Sequence, residues 1–126
     1  MTSWTEDELA RIGQADELRL ASTRKDGSLR PYVTMWAVRV GEDLYVRSAY
    51  GSTNPWFVRA RASGTGRVRA GGVERDVTFA EAAADVHDAI DVAYHAKYDR
   101  YGRGIAGTVV GPQVREVTIR LVPADS

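Results

Sequence analysis

The segment Ser48-Ala49-Tyr50-Gly51-Ser52-Thr53-Asn54-Pro55-Trp56 carries the residue types that hold a phosphate group. It follows an alternating, strand-like stretch and opens a helix-like one. Asn54 suits the N-cap and Pro55 the first helical position. Small, hydroxylated and glycine residues before the cap let backbone amides approach a ligand, and a helix N-terminus favours an anion. The same residues would also serve as a plain strand-to-helix turn. Tyr50, between the two elements, is a ligand candidate. A second constellation is His87, Asp91 and His95, spaced to share one helix face. Two histidines and a carboxylate could take a divalent cation. The apolar stripe of that helix is Val86, Ile90, Ala93 and Tyr94, so the three are read as a solvated polar face and no metal is assigned. No serine has the context of an activated nucleophile, and no Ser-His-Asp arrangement is present.

The chain that must position these groups has 126 residues, the size of a single domain spanning 1–126. Hydrophobic residues make up 44% and charged residues 27%, with zero net charge, which suits a soluble globular domain. Zero net charge argues against nucleic acid or an anionic membrane as the main partner. There is no cysteine, which excludes disulfides, thiolate catalysis and cysteine-ligated zinc. The polar, acidic N-terminus does not read as a signal peptide, and no apolar run approaches the ~20 residues of a membrane span. The expectation is a cytoplasmic protein.

The elements follow from periodicity. Thr5-Glu6-Asp7-Glu8 is a capping box, with Trp4 and Leu9 as a hydrophobic staple, so a helix runs from about Glu6 to Ala15. Leu18 to Ser22 alternates as a strand, and Arg24-Lys25-Asp26-Gly27 is a hairpin turn. Leu29 to Val40 reads as one long strand; Pro31, Val33, Met35 and Ala37 on one face and Tyr32, Thr34, Trp36 and Val38 on the other carry no charge, which suggests that both faces are covered for much of their length. Leu44 to Ser48 is the next strand. The helix after Asn54 ends at Ser63-Gly64-Thr65-Gly66. Arg67–Ala70 and Val73–Phe79 form a hairpin about Gly71-Gly72, with Arg67 and Arg69 on a solvated face. Asp85 and Asp88 suggest a capped start for a helix reaching Tyr98. An irregular stretch leads to a last strand at Val117–Leu121. The expected fold is α+β, mainly β: antiparallel hairpins forming a barrel of about six strands with flanking helices.

The turn Arg24-Lys25-Asp26-Gly27, the segment Pro31-Tyr32-Val33-Thr34-Met35-Trp36 and the segment Gly51-Ser52-Thr53-Asn54-Pro55-Trp56-Phe57 together resemble the split β-barrel flavin-binding superfamily. That superfamily includes pyridoxamine 5'-phosphate oxidase-like proteins and deazaflavin-dependent nitroreductases. Asn-Pro followed by Trp and a second aromatic is most similar to the nitroreductase branch. The chain also resembles an uncharacterised domain family of the same superfamily. The resemblance covers most of residues 16–122. It implies a split antiparallel β-barrel and a homodimer with FMN or F420 in a cleft between subunits. The ring would lie along Thr34–Trp36 and Arg47–Ser48, with the phosphate near Ser52, Thr53 and Asn54. Related proteins supply a Lys or Arg to that phosphate. Here no Lys falls between Lys25 and Lys97, so Arg47, Arg59 or Arg61 would have to take the role, with only Arg47 and Arg59 close enough along the chain. Trp36 and Trp56 could stack on the cofactor, or be core or interface aromatics. Tyr98 and Tyr101 resemble the aromatics that wall the substrate pocket, and either could donate a proton.

Two functional readings result. One is an FMN- or F420-dependent oxidoreductase-like protein, in which the cofactor carries the hydride chemistry and the protein positions it. The other is a cofactor-free small-molecule binding or interaction module on the same fold.

Overall fold

The structure, a computed structural model, describes residues 3–49, 51–102 and 107–124. The chain builds α1 (Glu6–Gln14), β1 (Leu18–Ser22), β2 (Val33–Met35), β3 (Ala37–Val40), β4 (Asp43–Arg47), α2 (Pro55–Ser63), β5 (Thr65–Ala70), β6 (Val73–Glu81), α3 (His87–Tyr98) and β7 (Thr118–Pro123). Short 3-10 segments at Asp99–Tyr101, Gly107–Val109 and Pro112–Val117 lie between α3 and β7. The seven strands form one antiparallel sheet in the order β2-β1-β5-β6-β7-β4-β3. It is a nearly closed split barrel, mainly β with flanking helices, as expected.

The strand count is seven rather than six because the stretch Leu29–Val40 does not form one strand. It pairs regularly only from Val33 and breaks at Trp36. Before the break, Val33 pairs with Leu20 on one edge of the sheet. After it, Ala37 pairs with Val46 on the opposite edge. Consecutive strands at the two ends of the sheet order require the sheet to curl on itself, and Trp36 is where the barrel is split. The expectation of two covered faces holds only after the break. Ala37 and Val38 are both buried, whereas Val33 and Thr34 are exposed.

The barrel interior is filled from alternate strand positions, including Leu18, Leu20, Leu44, Val46, Val68 and Leu121. The helices α1 and α2 close it with Leu9 and Ile12, and with Trp56, Phe57 and Ala60. The capping box on α1 forms in both directions, Glu8 N donating to Thr5 Oγ1 at 3.1 Å and Thr5 N to Glu8 Oε1 at 2.9 Å. Trp4 joins the same core as Leu9 and donates its indole N–H to the Leu121 carbonyl at 3.0 Å. Gly64 ends α2 at φ +72°, with its N–H on the Ala60 carbonyl. In the β5–β6 hairpin, Arg67 and Arg69 form cross-strand pairs with Asp76 and Glu74, directly opposite in the register. The start of α3 departs from expectation. Its N-cap is Val86, without a side-chain cap, and Asp88 instead pairs with Arg115 at 2.8 Å.

On the outside of the sheet, α3 packs a second cluster against β3 and β4: Ile90, Tyr94 and Tyr98 against Val38 and Tyr45. Among the described residues, no helix is long and apolar enough to cross a membrane.

Gly66 fixes the spacing of β1 and β5. A methyl group there would collide with the Ala21 carbonyl oxygen and stand 2.8 Å from Phe79 Cζ. Gly66→Ala should therefore lower stability by about 1–3 kcal/mol, read as a lower urea midpoint at unchanged m-value.

Candidate functional site

Alternation along β4 sends Leu44 and Val46 into the barrel and Tyr45 and Arg47 to the face under α3. The Arg47 side chain is fully buried there. A guanidinium cannot shed its proton, so its charge must be paired and its donors accepted. Nη1 pairs with Asp91 Oδ1 of α3 and donates to the Val109 carbonyl at 2.9 Å. Nε donates to Thr118 Oγ1 of β7 at 2.9 Å, and that hydroxyl donates onward to the Val114 carbonyl at 2.8 Å. Nη2 lies 3.3 Å from His87 Nδ1. The guanidinium carbon also stands 5.8 Å from the Tyr94 ring centroid. Asp91 in turn accepts from the Gly111 N–H at 3.3 Å. Among the described residues no buried side-chain nitrogen or oxygen lacks a hydrogen-bond partner.

This cluster corrects the reading of His87, Asp91 and His95 as one solvated face. His87 is buried at 8% exposure and Asp91 is the counter-ion of Arg47. Only His95 stays exposed, paired with Asp99 at 2.8 Å. Burial, then the Arg47 and Arg115 charges, lowers the His87 pKa, so the imidazole is neutral near pH 7. Arg47 has only donors, so His87 Nδ1 must accept and the proton sits on Nε2. Among the described residues, no group of three His, Asp or Glu is placed to hold a metal ion.

The segment before α2 has a different character. Ser48 is buried and donates its hydroxyl to the Gly51 carbonyl at 2.6 Å, while the Gly51 N–H returns to the Ser48 carbonyl at 3.3 Å. Gly51 adopts φ +86°, which a side chain would disfavour. Ser52 and Thr53 are exposed and Asn54 is half-buried. Asn54 occupies the N-cap position with Pro55 following, yet its side chain makes no capping hydrogen bond. Trp56 is buried edge-on to Phe57, at 5.9 Å between ring centroids, and anchors the helix in the core. Arg59 is exposed on α2. Tyr50 lies outside the described residues.

The third group surrounds the strand break. Trp36 stacks on Tyr98 at 4.1 Å and 7°, with Tyr101 5.8 Å away. The Tyr94 hydroxyl donates to the Trp36 carbonyl at 3.1 Å. The Tyr98 hydroxyl accepts from the Ala37 N–H at 3.3 Å and lies 3.0 Å and 3.1 Å from the Asp16 and Ala37 carbonyls. Lys97 Nζ donates to the Ala37 carbonyl at 2.7 Å. The α3 side chains thus serve backbone groups next to the interrupted strand. Tyr98 is fully buried, and burial raises its pKa, so its phenol stays protonated. Tyr101 is 43% exposed and accepts a hydrogen bond from Arg100 at 3.1 Å. Thr34 is exposed and Trp36 half-buried. The structure therefore joins Trp36, Tyr98 and Tyr101, and separately joins Arg47 to Asp91, His87 and Thr118. The sequence reading missed this second grouping. Its signal was an arginine closing the Leu44-Tyr45-Val46 run of β4.

Removing Asp91 leaves the Arg47 charge buried and unpaired, so Asp91→Ala should destabilise by about 3 kcal/mol. The double variant Arg47→Met/Asp91→Leu removes the charge and its partner together and should recover most of that loss in urea unfolding.

Three solved structures are similar in fold. A putative pyridoxamine 5'-phosphate oxidase from Listeria innocua matches with a TM-score of 0.65 at 20% identity, covering 95% of this chain and 93% of its own. A protein described as a domain-swapped dimer matches at 0.62 and 18% identity, covering 85% of this chain and 79% of its own. An F420-H2-dependent reductase matches at 0.61 and 18% identity, covering 85% of this chain and 93% of its own. At these identities the likeness establishes the split-barrel fold, as the sequence resemblance implied. Among curated proteins none matches the sequence. The family of uncharacterized proteins conserved in bacteria designated DUF2255 matches over residues 8–121, and the chain belongs to that family.

Proposed function

We propose that the protein is a flavin- or deazaflavin-binding, oxidoreductase-like protein that uses FMN or F420 as a cytoplasmic homodimer. The observation that carries this reading is the turn at 51–54. It leaves two hydroxyls exposed and the Asn54 side chain uncommitted at the start of α2. A purely structural N-cap would use that side chain on the helix. A phosphate group fits the donor set: Ser52 and Thr53 hydroxyls, the Asn54 amide and the positive end of the helix.

Each residue then has a task. Ser52, Thr53 and Asn54 donate to phosphate oxygens, and the exposed Arg59 adds charge. Ser48 fixes the turn through its bond to Gly51. Trp56 roots α2 in the core. Thr34 and Trp36 offer the open end of the strand to the ring, and Tyr98, stacked beneath, orients the Trp36 indole. Tyr101 is the exposed phenol beside them and the group placed to hand a proton to a reduced substrate. Arg47, assigned to the ring by resemblance, acts from the interior by holding α3 in place. The cofactor supplies hydride transfer when bound. The exposed edge of β2, with Val33 and Thr34, is where a second protomer would complete the cleft.

One observation favours the alternative of a cofactor-free binding module. Arg47, the cation next to the turn in sequence, is neutralised inside by Asp91. Titration of FMN and of F420, followed by ring fluorescence, separates the readings. The cofactor reading expects saturable perturbation by one of them, weakened about tenfold or more by Ser52→Ala and Asn54→Ala, since hydrogen bonds to charged groups are worth about 1.5–3 kcal/mol. A colourless protein that perturbs neither ring at tens of micromolar would establish the alternative instead.

A further inference from the structure

A cleft of about 870 Å³ opens between α2, the end of β6, the start of α3 and the segment leading into β7. That volume is in the range of small-molecule sites. Part of its wall is apolar, formed by Phe57, Phe79 and Ile119. Thr118 and His87, both buried, line it as well, and both are bound to Arg47. Arg61 and Arg115 line it from α2 and from the segment before β7.

The contact with Arg47 determines what His87 can offer. Its Nδ1 faces a permanent donor, so that nitrogen is the acceptor and Nε2 carries the hydrogen. The opposite edge of the ring is therefore an N–H. An N–H cannot ligate a metal, because ligation needs the nitrogen lone pair. It can donate to a carbonyl or carboxylate oxygen. The exposed Arg61 stands 5.9 Å over the Phe57 ring. Among the described residues, Arg115 pairs with the exposed carboxylate of Asp88, a pair of small energetic value that a ligand carboxylate can replace. Glu81 and Glu116 also line the cleft and are solvent-exposed, where water screens their repulsion of an anion.

We propose that this cleft is a binding site for a small carboxylate with an apolar body. The His87 Nε2–H and the two arginines receive the carboxylate, and Phe57, Phe79 and Ile119 receive the body. The site stands on its own residues and does not depend on the cofactor reading.

Benzoate is a suitable probe, with benzamide as its neutral counterpart and inorganic phosphate as an anion lacking an apolar body. NMR titration of the intact protein should show saturable benzoate binding that shifts the His87 imidazole resonances while Nδ1 remains unprotonated. Benzamide and phosphate should bind at least tenfold more weakly. Arg61→Gln and Arg115→Gln, both at exposed positions, should each weaken benzoate several-fold without lowering Tm. His87→Leu should abolish binding, and His87→Gln, which keeps an N–H donor, should restore part of it. Equal binding of benzoate and benzamide, preference for phosphate, indifference to both arginine variants, or absence of saturation would each overturn the proposal, whatever FMN or F420 does.

Discussion

The structure is organised around one buried charge. Arg47, at the end of β4, sits where β7, α3 and the segment before β7 meet, and each of those three contributes a partner. Burying a guanidinium costs several kcal/mol, and pairing it offsets that cost without adding much net stability. What the pairing provides is placement. Asp91 must face β4, so α3 lies across the outer side of β3 and β4. The Gly111 N–H is drawn to the same carboxylate. His87 is fixed as the Nε2–H tautomer. Together with the Tyr94 and Lys97 hydrogen bonds to the Trp36 and Ala37 backbone, the Arg47–Asp91 pair fixes where α3 sits on Val38 and Tyr45.

The second constraint is the break at Trp36, which lets one stretch of chain pair with both edges of the sheet. Interrupting a strand frees backbone polar groups that the interior does not tolerate unpaired. Tyr94, Lys97 and Tyr98, one face of α3, serve the Trp36 and Ala37 backbone. The helix that Arg47 holds in register is thus the helix that stabilises the split. Consequently the buried tyrosines are committed to the frame, and surface chemistry is left to exposed groups: Thr34 and Tyr101 at the break, Ser52 and Thr53 in the turn, and the arginines of the cleft.

Local features were legible in the sequence because their causes are local. The α1 capping box, the Gly64 stop of α2 and the two-glycine hairpin each involve residues that are near in sequence, whereas Arg67 and Arg69, read as a solvated face, pair with Asp76 and Glu74 across the hairpin. The Trp36 break was not legible, since Leu29–Val40 is uniformly strand-like and the break arises from pairing with strands elsewhere. The α3 face was misread for a related reason. Its apolar stripe was taken as its only buried face, but His87 is buried and Asp91 is drawn partly inside by Arg47, 44 residues earlier. Among the candidate residues, Ser52, Thr53, Asn54, Thr34 and Tyr101 reach the surface as a ligand site needs. Ser48, Trp56 and Tyr98 are structural supports, which residue type alone cannot reveal.

The division of labour we propose has the turn before α2 meet the phosphate-bearing ligand while Arg47 stays inside. Amide and arginine side-chain NMR spectra recorded during addition of FMN or F420 test it most directly. The account expects the first and largest shifts at Gly51, Ser52, Thr53, Asn54 and Trp56, with the Arg47 Nε–H signal unmoved and protected from solvent exchange. Shifts centred on Arg47 and Asp91 with the turn unaffected, or an Arg47 Nε–H in rapid exchange with water, would contradict it.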